Sequence, residues 1–277
     1  MRKVTILTIN GTTLLLLALL FVSGCLTVNI RDSYIRLKYG VAPGVFLEGI
    51  PMERKLEEEV TFIVQALSRE RLIRPRNAYL DPFSGEILPE QYGKKIDVQA
   101  TVNLIMNSSA HTTHSPVFIE LDPEVTEDIL RNICHRKGSY ATGFGNGGRG
   151  VNIRLAAQSI NNYLLAPGEV FSFNEATGPR EPERGYKLAP IIVGGTVIPG
   201  YGGGVCQVST TLYNAVLNAG LEVVQRFPHS RPVGYVPPGK DATVSNYLDF
   251  KFRNNTDNFI LIKTSSYGYR LVVEIWG

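Results

Sequence analysis

The sequence predicts an α+β fold, with a small N-terminal α+β module followed by a larger α+β domain. Apolar residues recur at helical spacing in several segments, and short runs bounded by glycine and proline indicate strands between them. We expect the larger domain to contain an antiparallel sheet and a cysteine-bearing helix that follows a glycine-rich turn. The predicted parts are residues 1–24, residues 26–135 and residues 138–277.

Composition excludes several classes of protein. The chain has 277 residues, of which 44% are hydrophobic and 19% charged, so intrinsic disorder is not expected. It contains 28 basic and 25 acidic residues, a balance that offers no electrostatic case for binding nucleic acid. Without Arg2 and Lys3, 26 basic residues remain against 25 acidic ones, so the body of the chain is nearly neutral.

Residues 1–24 have the pattern of a signal peptide. Arg2 and Lys3 precede the uninterrupted apolar run Leu14–Val22, which is too short to span a bilayer. The following Val-Ser-Gly-Cys, ending at Cys25, resembles a bacterial lipobox, in which the cysteine is acylated and becomes the mature N-terminus. We therefore expect an extracytoplasmic lipoprotein that is tethered to the membrane through lipidated Cys25. The alternative is an uncleaved N-terminal anchor.

Residues 26–135 are predicted to form the small module. Its expected elements are a helix over residues 53–67, a strand–turn–strand over 77–96, a helix capped by Asp97 that runs to Met106, and a strand over 115–121. This layout resembles a small module of bacterial envelope proteins that is named for peptidoglycan binding. The alternative is an α+β spacer without a ligand of its own.

The larger domain follows residues 138–148, whose glycines and small polar residues predict a linker or mobile loop. A helix is expected to begin at Arg149, because apolar residues then recur at helical spacing. Strands are predicted over residues 190–193 and 222–227. Three further strands are expected to form a closing antiparallel sheet, over residues 247–252, 258–263 and 269–276.

The glycine-rich turn Gly202–Gly204 is the most informative feature. Glycine lets the backbone turn tightly and approach a ligand closely, and this turn leads directly into a helix predicted over residues 205–218. Gly220 is expected to end that helix. Cys206 lies in its first turn, where the helix dipole and free N–H groups would stabilise a thiolate.

His229 and Asp241 follow Cys206 in the chain order of papain-like and transglutaminase-like cysteine enzymes. In such enzymes the imidazole takes the thiol proton and the carboxylate orients the ring. We therefore hypothesise that Cys206 is a nucleophile, His229 its base and Asp241 the orienting acid. Each has a structural alternative: a buried cysteine, a surface histidine and an aspartate that caps a turn.

The remaining cysteine and histidines suggest no metal or cofactor site. A disulfide between Cys134 and Cys206 is chemically allowed outside the cytoplasm, and it would defeat the nucleophile hypothesis. His111 and His114 lie three residues apart, but in a Ser/Thr/His-rich stretch that favours a loop. We therefore expect neither a metal nor a cofactor.

Residues 138–277 closely resemble the VanW-like proteins, which are named for an accessory gene product of glycopeptide-resistance clusters. The resemblance runs through Arg149 with Asn152, LAPGEVFSFNEATGPR, Gly185-Tyr186, GYGGGVCQVSTTLYNA, FPHSRPV, YVPPGKDATV and LDFKFRNNTDNFILI. It implies an association with the bacterial cell wall.

We expect the chain to act on or recognise peptidoglycan or its precursors. One hypothesis is amide hydrolysis or acyl transfer on peptide stems, and the other is a non-catalytic wall-binding or assembly factor that holds an anionic or D-amino-acid ligand. The candidate ligand-binding residues are Arg149, Asn152, Gly202, Gly203, Gly204, Gln207, Thr210, Arg226 and Arg231. The oligomeric state cannot be predicted from the sequence.

Overall fold

The structure, a computed structural model, describes residues 30–81 and 84–277 and, from the N-terminal segment, Leu19 alone. The predictions of a signal peptide over residues 1–24 and of lipidation at Cys25 therefore concern residues that, except for Leu19, lie outside the described part. Among the described residues, no helix has both the length and the apolar character needed to cross a membrane.

The described chain divides into two compact units, and the predicted α+β class is confirmed. One unit contains the residues up to Asn77 together with Gln91–Glu124, and the other contains Ala78–Glu90 together with Val125–Gly277. Both units combine helices with short strands.

The first unit packs helices against short strands around one apolar core. Its elements are the helices Glu57–Glu70 and Val98–Met106 and the strands Phe46–Leu47, Ile50–Pro51, Gly93–Ile96, Thr113–His114 and Phe118–Leu121. Residues 30–39 are also helical. The fully buried core residues include Val45, Leu47, Met52, Val60, Val64 and Ile105.

The helix Glu57–Glu70 begins one turn later than the predicted start near residue 53. Leu56 is the N-cap residue, and the Glu59 carboxylate accepts its backbone N–H at 2.9 Å. The acidic first turn faces the positive end of the helix dipole, which favours a start at this point. The helix predicted after Asp97 is confirmed, because the Asp97 carboxylate accepts the Ala100 N–H at 3.0 Å.

The second unit contains most of the regular structure. Its helices are Glu127–Asn132, Gly148–Ser159, Phe173–Thr177 and Val205–Asn218. A four-stranded antiparallel sheet has the order Arg136–Gly143, Arg270–Trp276, Ile260–Tyr267 and Tyr163–Leu165. A three-stranded antiparallel sheet has the order Val170–Ser172, Lys251–Arg253 and Glu222–Gln225. Two hairpins complete it, formed by Tyr79–Leu80 with Ile87–Leu88 and by Leu188–Val193 with Thr196–Tyr201.

Two segments of the chain pair or pack with other elements than the sequence predicts. The predicted C-terminal sheet is wrong in one strand, because Lys251–Arg253 pairs with Val170–Ser172 and Glu222–Gln225 instead of with the last two strands. The first hairpin and the helix Glu127–Asn132 lie in the second unit, where Ala78, Val125 and Leu130 are buried together.

The predicted helix over residues 205–218 is confirmed at both ends, and we term it the cysteine helix. Gly220 ends it with a positive φ of 70°. The Gly220 N–H donates to the Leu217 carbonyl at 3.1 Å and the Leu221 N–H donates to the Val216 carbonyl at 3.2 Å, which is a Schellman end. The apolar stripe of this helix is fully buried, at Val208, Leu212, Ala215 and Val216.

The prediction of a linker or loop over residues 138–148 is wrong for residues 138–143, whereas residues 144–147 are irregular as predicted. Residues up to Gly143 belong to the strand Arg136–Gly143, which pairs with Arg270–Trp276. A Cβ atom at Gly138 would lie 2.5 Å from the Ala215 carbonyl oxygen and 2.5 Å from the Ala219 nitrogen. This glycine therefore allows the cysteine helix to lie directly against the strand, a packing requirement that has the same sequence signature as a flexible loop.

Replacing Gly138 by alanine is expected to destabilise the second unit by about 1–3 kcal/mol, because helix and strand must separate to admit the methyl group. Gly143→Ala is the matched control, since its Cβ would meet nothing closer than 3.9 Å in the same strand. Urea unfolding of the full-length chain is followed by the fluorescence of Trp276, the single tryptophan, which lies in the paired strand. Equal midpoints for the two variants would contradict the close approach.

Candidate functional site

One face of the cysteine helix binds an extended segment of the chain, residues 240–244. The side chains of Cys206, Thr210 and Asn214 follow each other at four-residue intervals on this face. Four residues advance a helix by about 6 Å, and two residues advance an extended strand by about 6.6 Å. Successive turns of the helix therefore meet alternate residues of the segment.

The contacts run in order along both elements. The Asn214 amide donates to the Lys240 carbonyl at 2.7 Å. The Ala242 N–H donates to the Thr210 hydroxyl oxygen at 2.9 Å. The Cys206 thiol donates to the Val244 carbonyl at 3.3 Å and accepts the Val244 N–H at 3.5 Å. Side chains of the helix thus form the hydrogen bonds to the backbone of residues 240–244 that a neighbouring strand would otherwise form.

The Cys206 thiol is engaged by this backbone contact. Burial raises the pKa of the Cys206 thiol, and the Val244 hydrogen bond and the charges of Arg180 and Arg149 only partly oppose that effect. Among the described residues, no hydrogen bond joins Cys206 to His229. Cys134 and Cys206 are both free thiols, so no disulfide links them.

Asp241 holds His229 and Arg226 together, as the predicted pairing of His229 with Asp241 requires. One carboxylate oxygen accepts the His229 backbone N–H at 2.6 Å and lies 2.6 Å from His229 Nδ1. The other accepts Arg226 Nη2 at 2.9 Å, and Arg226 Nε donates to the Asp241 carbonyl at 2.6 Å. Burial alone would raise the pKa of Asp241, but the hydrogen bonds from His229 hold it below its ordinary value.

The tautomer of His229 follows from this pairing. Because Asp241 is ionised, Nδ1 of a neutral His229 ring carries the proton and donates it to the carboxylate. Nε2 is then a hydrogen-bond acceptor, and it has no hydrogen-bond partner within the described chain.

His229 and Asp241 line a cavity of about 280 Å³, which we term the proline groove. Arg226 and Arg231 also line it, and the rest of its wall is formed by Pro228, Ser230, Pro232, Val233, Val236, Pro237, Pro238 and Gly239. Arg231 is exposed and makes no ion pair with another described residue. The proline groove thus combines a cation, an imidazole acceptor and apolar walls, whereas Cys206 does not line it.

The other predicted ligand-binding residues meet at the glycine turn. Arg149 Nη2 donates to Gln207 Oε1 at 2.8 Å, and Gln207 Nε2 donates onward to the Gly143 carbonyl at 2.7 Å. The Asn152 amide donates to the carbonyls of Lys187 and Gly203, both at 2.9 Å, and its oxygen accepts the Lys187 N–H at 2.7 Å. Asn152 therefore fixes the chain at Lys187 against the glycine turn.

Sequence reasoning missed three residues near the start of the cysteine helix. The charge of Arg180 lowers the pKa of Cys206, although burial has the larger, opposite effect. Burial and the proximity of Cys206 raise the pKa of Tyr235. Arg149 lies over the Tyr235 ring, with its Cζ atom 5.8 Å from the centroid. Tyr186 is buried near Arg180. Nothing in the sequence pattern indicates that Arg180 lies near Cys206 or that Tyr186 lies near Arg180.

No group of three or more metal-binding side chains occurs within the described residues.

A family model described as "VanW like protein" matches residues 148–276. The chain is 39% identical over 239 residues to the uncharacterized protein YoaR of Bacillus subtilis, covering 83% of this chain and 77% of that protein. It is 35% identical over 112 residues to the vancomycin B-type resistance protein VanW of Enterococcus faecalis, covering 38% of this chain and 41% of that protein. No solved structure matches the chain. The chain belongs to the VanW-like family.

Replacing Asp241 by asparagine is expected to lower stability at pH 7 by about 3 kcal/mol, because the charges it holds lose a buried partner. The pKa of Asp241 lies below its ordinary value. Its contribution is therefore fully present above the pKa of an unfolded aspartate, about 3.9, and is lost as the pH falls through the folded pKa. Urea unfolding should therefore show a smaller difference between variant and wild type at pH 3 than at pH 7.

The matched control for this experiment is Asp257→Asn, which alters an exposed aspartate of the same unit. If Asp241→Asn is as mild as Asp257→Asn at pH 7, the carboxylate does not hold His229 and Arg226 in place.

Proposed function

We propose that this protein works in the bacterial cell envelope, where it recognises the peptide part of peptidoglycan or its precursors. Membership of the VanW-like family supports the cell-wall role, since a relative in that family is named for vancomycin resistance. The proline groove carries the more specific proposal, because it places His229, held by Asp241, beside the exposed cation Arg231.

The groups in the proline groove suit the end of a peptide stem. Arg231 would pair with a terminal carboxylate, for which a guanidinium offers a planar pair of donors. Nε2 of His229 would accept a peptide N–H. The rigid walls at Pro228, Pro237 and Pro238 would pack against small apolar side chains such as the methyl group of D-alanine.

Recognition fits the geometry better than cysteine catalysis does. A nucleophilic thiol must give its proton to the base, but the Cys206 thiol donates to the Val244 carbonyl. Burial also raises the pKa of the Cys206 thiol, which disfavours the reactive thiolate. Amide hydrolysis or acyl transfer by Cys206, His229 and Asp241 is therefore the competing hypothesis, and the experiment below separates the two.

Attachment to the membrane through Cys25 belongs to the same proposal. The lipobox-like sequence that ends at Cys25 supports it, and a lipid anchor would hold the protein near the cell wall. Metabolic labelling with an alkyne fatty acid should mark the wild-type protein but not Cys25→Ala. Equal labelling of both would overturn this attachment.

The peptide proposal is tested with the full-length protein in non-ionic detergent and an N-acetylated Lys-D-Ala-D-Ala peptide. Calorimetry should give a Kd about tenfold higher for Arg231→Ala than for wild type, because a charge-assisted contact is lost. Amidation of the peptide's carboxyl end should have a similar effect on wild type and little further effect on Arg231→Ala. Arg270→Ala, which removes another exposed arginine of the same unit, is the control.

The same preparations decide the competing hypothesis. Purified muropeptides are incubated with wild type and with Cys206→Ser, and the products are compared by mass spectrometry. New products with wild type alone would favour the cysteine enzyme. If Arg231→Ala and Arg270→Ala bind the peptide equally, the proline groove is not the peptide site.

A further inference from the structure

The start of the cysteine helix carries two arginines without a carboxylate partner among the described residues. Arg149 donates to the neutral Gln207 side chain. Arg180 donates to the Asn174 side-chain oxygen and, at 3.3 Å, to the Ser245 carbonyl. The carboxylate that acts electrostatically on Arg180 is that of Asp249, which lies 3.9 Å from the Lys251 ammonium group.

Arg180 is partly removed from solvent. Burial lowers the pKa of the Arg180 guanidinium, since a charged group loses its hydration there. Buried charges in proteins are normally paired, because an unpaired one is costly. The neutral acceptors on Arg180 compensate only part of that cost, so an anion from outside the chain would stabilise this region.

The glycine turn brings both arginines to the helix N-terminus. A Cβ atom at Gly202 would lie 2.8 Å from Cβ of Arg180, and one at Gly204 would lie 2.9 Å from Cγ of Arg149. Gly204 is the N-cap residue, with φ of 108°, and no side chain caps the helix. In the first turn of this 14-residue helix, the Val205 N–H donates to the Gly202 carbonyl and the Gln207 N–H to the Gly204 carbonyl, which leaves the Cys206 N–H and the positive dipole end beside the two arginines.

Tyr186 provides an independent indication of a missing ligand. The residue is only 3% exposed, and its hydroxyl has no hydrogen-bond partner within the described structure. Buried tyrosine hydroxyls usually have one. Arg180 and Arg184 act on the phenol electrostatically, and Asn152 fixes the neighbouring Lys187 against Gly203, so Tyr186 lies near Arg180 and the glycine turn.

We propose that Arg149, Arg180, Tyr186 and the N-terminus of the cysteine helix form a binding site for a phosphate group. The guanidinium groups and the Cys206 N–H would hold the phosphate oxygens, and the Tyr186 hydroxyl would donate a further hydrogen bond. Two uncompensated cations favour a doubly charged phosphate over a singly charged carboxylate. A neutral Cys206 thiol leaves both cations available. This site is distinct from the proline groove, and its occupation does not depend on peptide binding there.

The test uses the full-length protein in non-ionic detergent and follows thermal unfolding by Trp276 fluorescence. Inorganic phosphate, pyrophosphate and dodecyl phosphate placed in the detergent micelle are titrated at constant ionic strength, with acetate and chloride as control anions. A phosphate ligand should raise Tm saturably in wild type, since binding stabilises the folded state. Saturation by inorganic phosphate supports a soluble ligand, whereas a response confined to dodecyl phosphate supports a lipid-borne one.

Variants assign the effect to this site. Tyr186→Phe removes only the unpartnered hydroxyl, so Tm without ligand should be unchanged or higher while the Kd rises about tenfold. Arg180→Met should abolish the response, and Arg270→Met should retain it. An equal response to acetate, or an unchanged response in both Tyr186→Phe and Arg180→Met, would overturn the phosphate site. Peptide binding by the same preparations reports separately on the proline groove.

Discussion

The second unit depends on the hydrogen bonds between one face of the cysteine helix and residues 240–244. Thr210 and Asn214 are buried there, so each lost hydrogen bond would leave an unsatisfied polar group at a cost of about 1–3 kcal/mol. The other edge of the segment is bonded as well, since the Thr243 N–H donates to the Phe227 carbonyl at 2.7 Å. Asp241 lies within this doubly held segment, and it therefore positions His229 and Arg226 with little freedom.

Much of this arrangement could be predicted because it follows from local pattern. The cysteine helix has apolar residues at helical spacing and a glycine near each end. The spacing of the apolar residues and the positions of the glycines therefore predict the same helix. The pairing of His229 with Asp241 was predicted from chain order and residue chemistry, and the structure contains it at 2.6 Å. Both inferences use side chains that leave a signature in the sequence.

The inferences that failed concern contacts without such a signature. The partner of Cys206 is the backbone of Val244, and every residue type except proline offers the same two groups. Gly138 was assigned to a linker because glycine favours loops, whereas its role is to admit a helix against a strand. Tyr186 and Arg180 are brought together by long-range contacts. These are the Asn152 hydrogen bonds to Lys187 and Gly203 and the close packing of Gly202 against Arg180.

The chain order of a cysteine enzyme thus coexists with hydrogen bonds that oppose cysteine chemistry. Moving the thiol of Cys206 away from Val244 would leave a backbone N–H and a carbonyl unpaired, at about 1–3 kcal/mol for each buried group. The thiolate would also neutralise the field of Arg149 and Arg180, which otherwise remains available to an external anion. The charges of Arg180 and Arg149 lower the pKa of Cys206, but burial outweighs them, so the thiol stays protonated and the helix start keeps its positive charge. The hydrogen bonds of Cys206 and its raised pKa are thus consistent with the ligand-binding role proposed above.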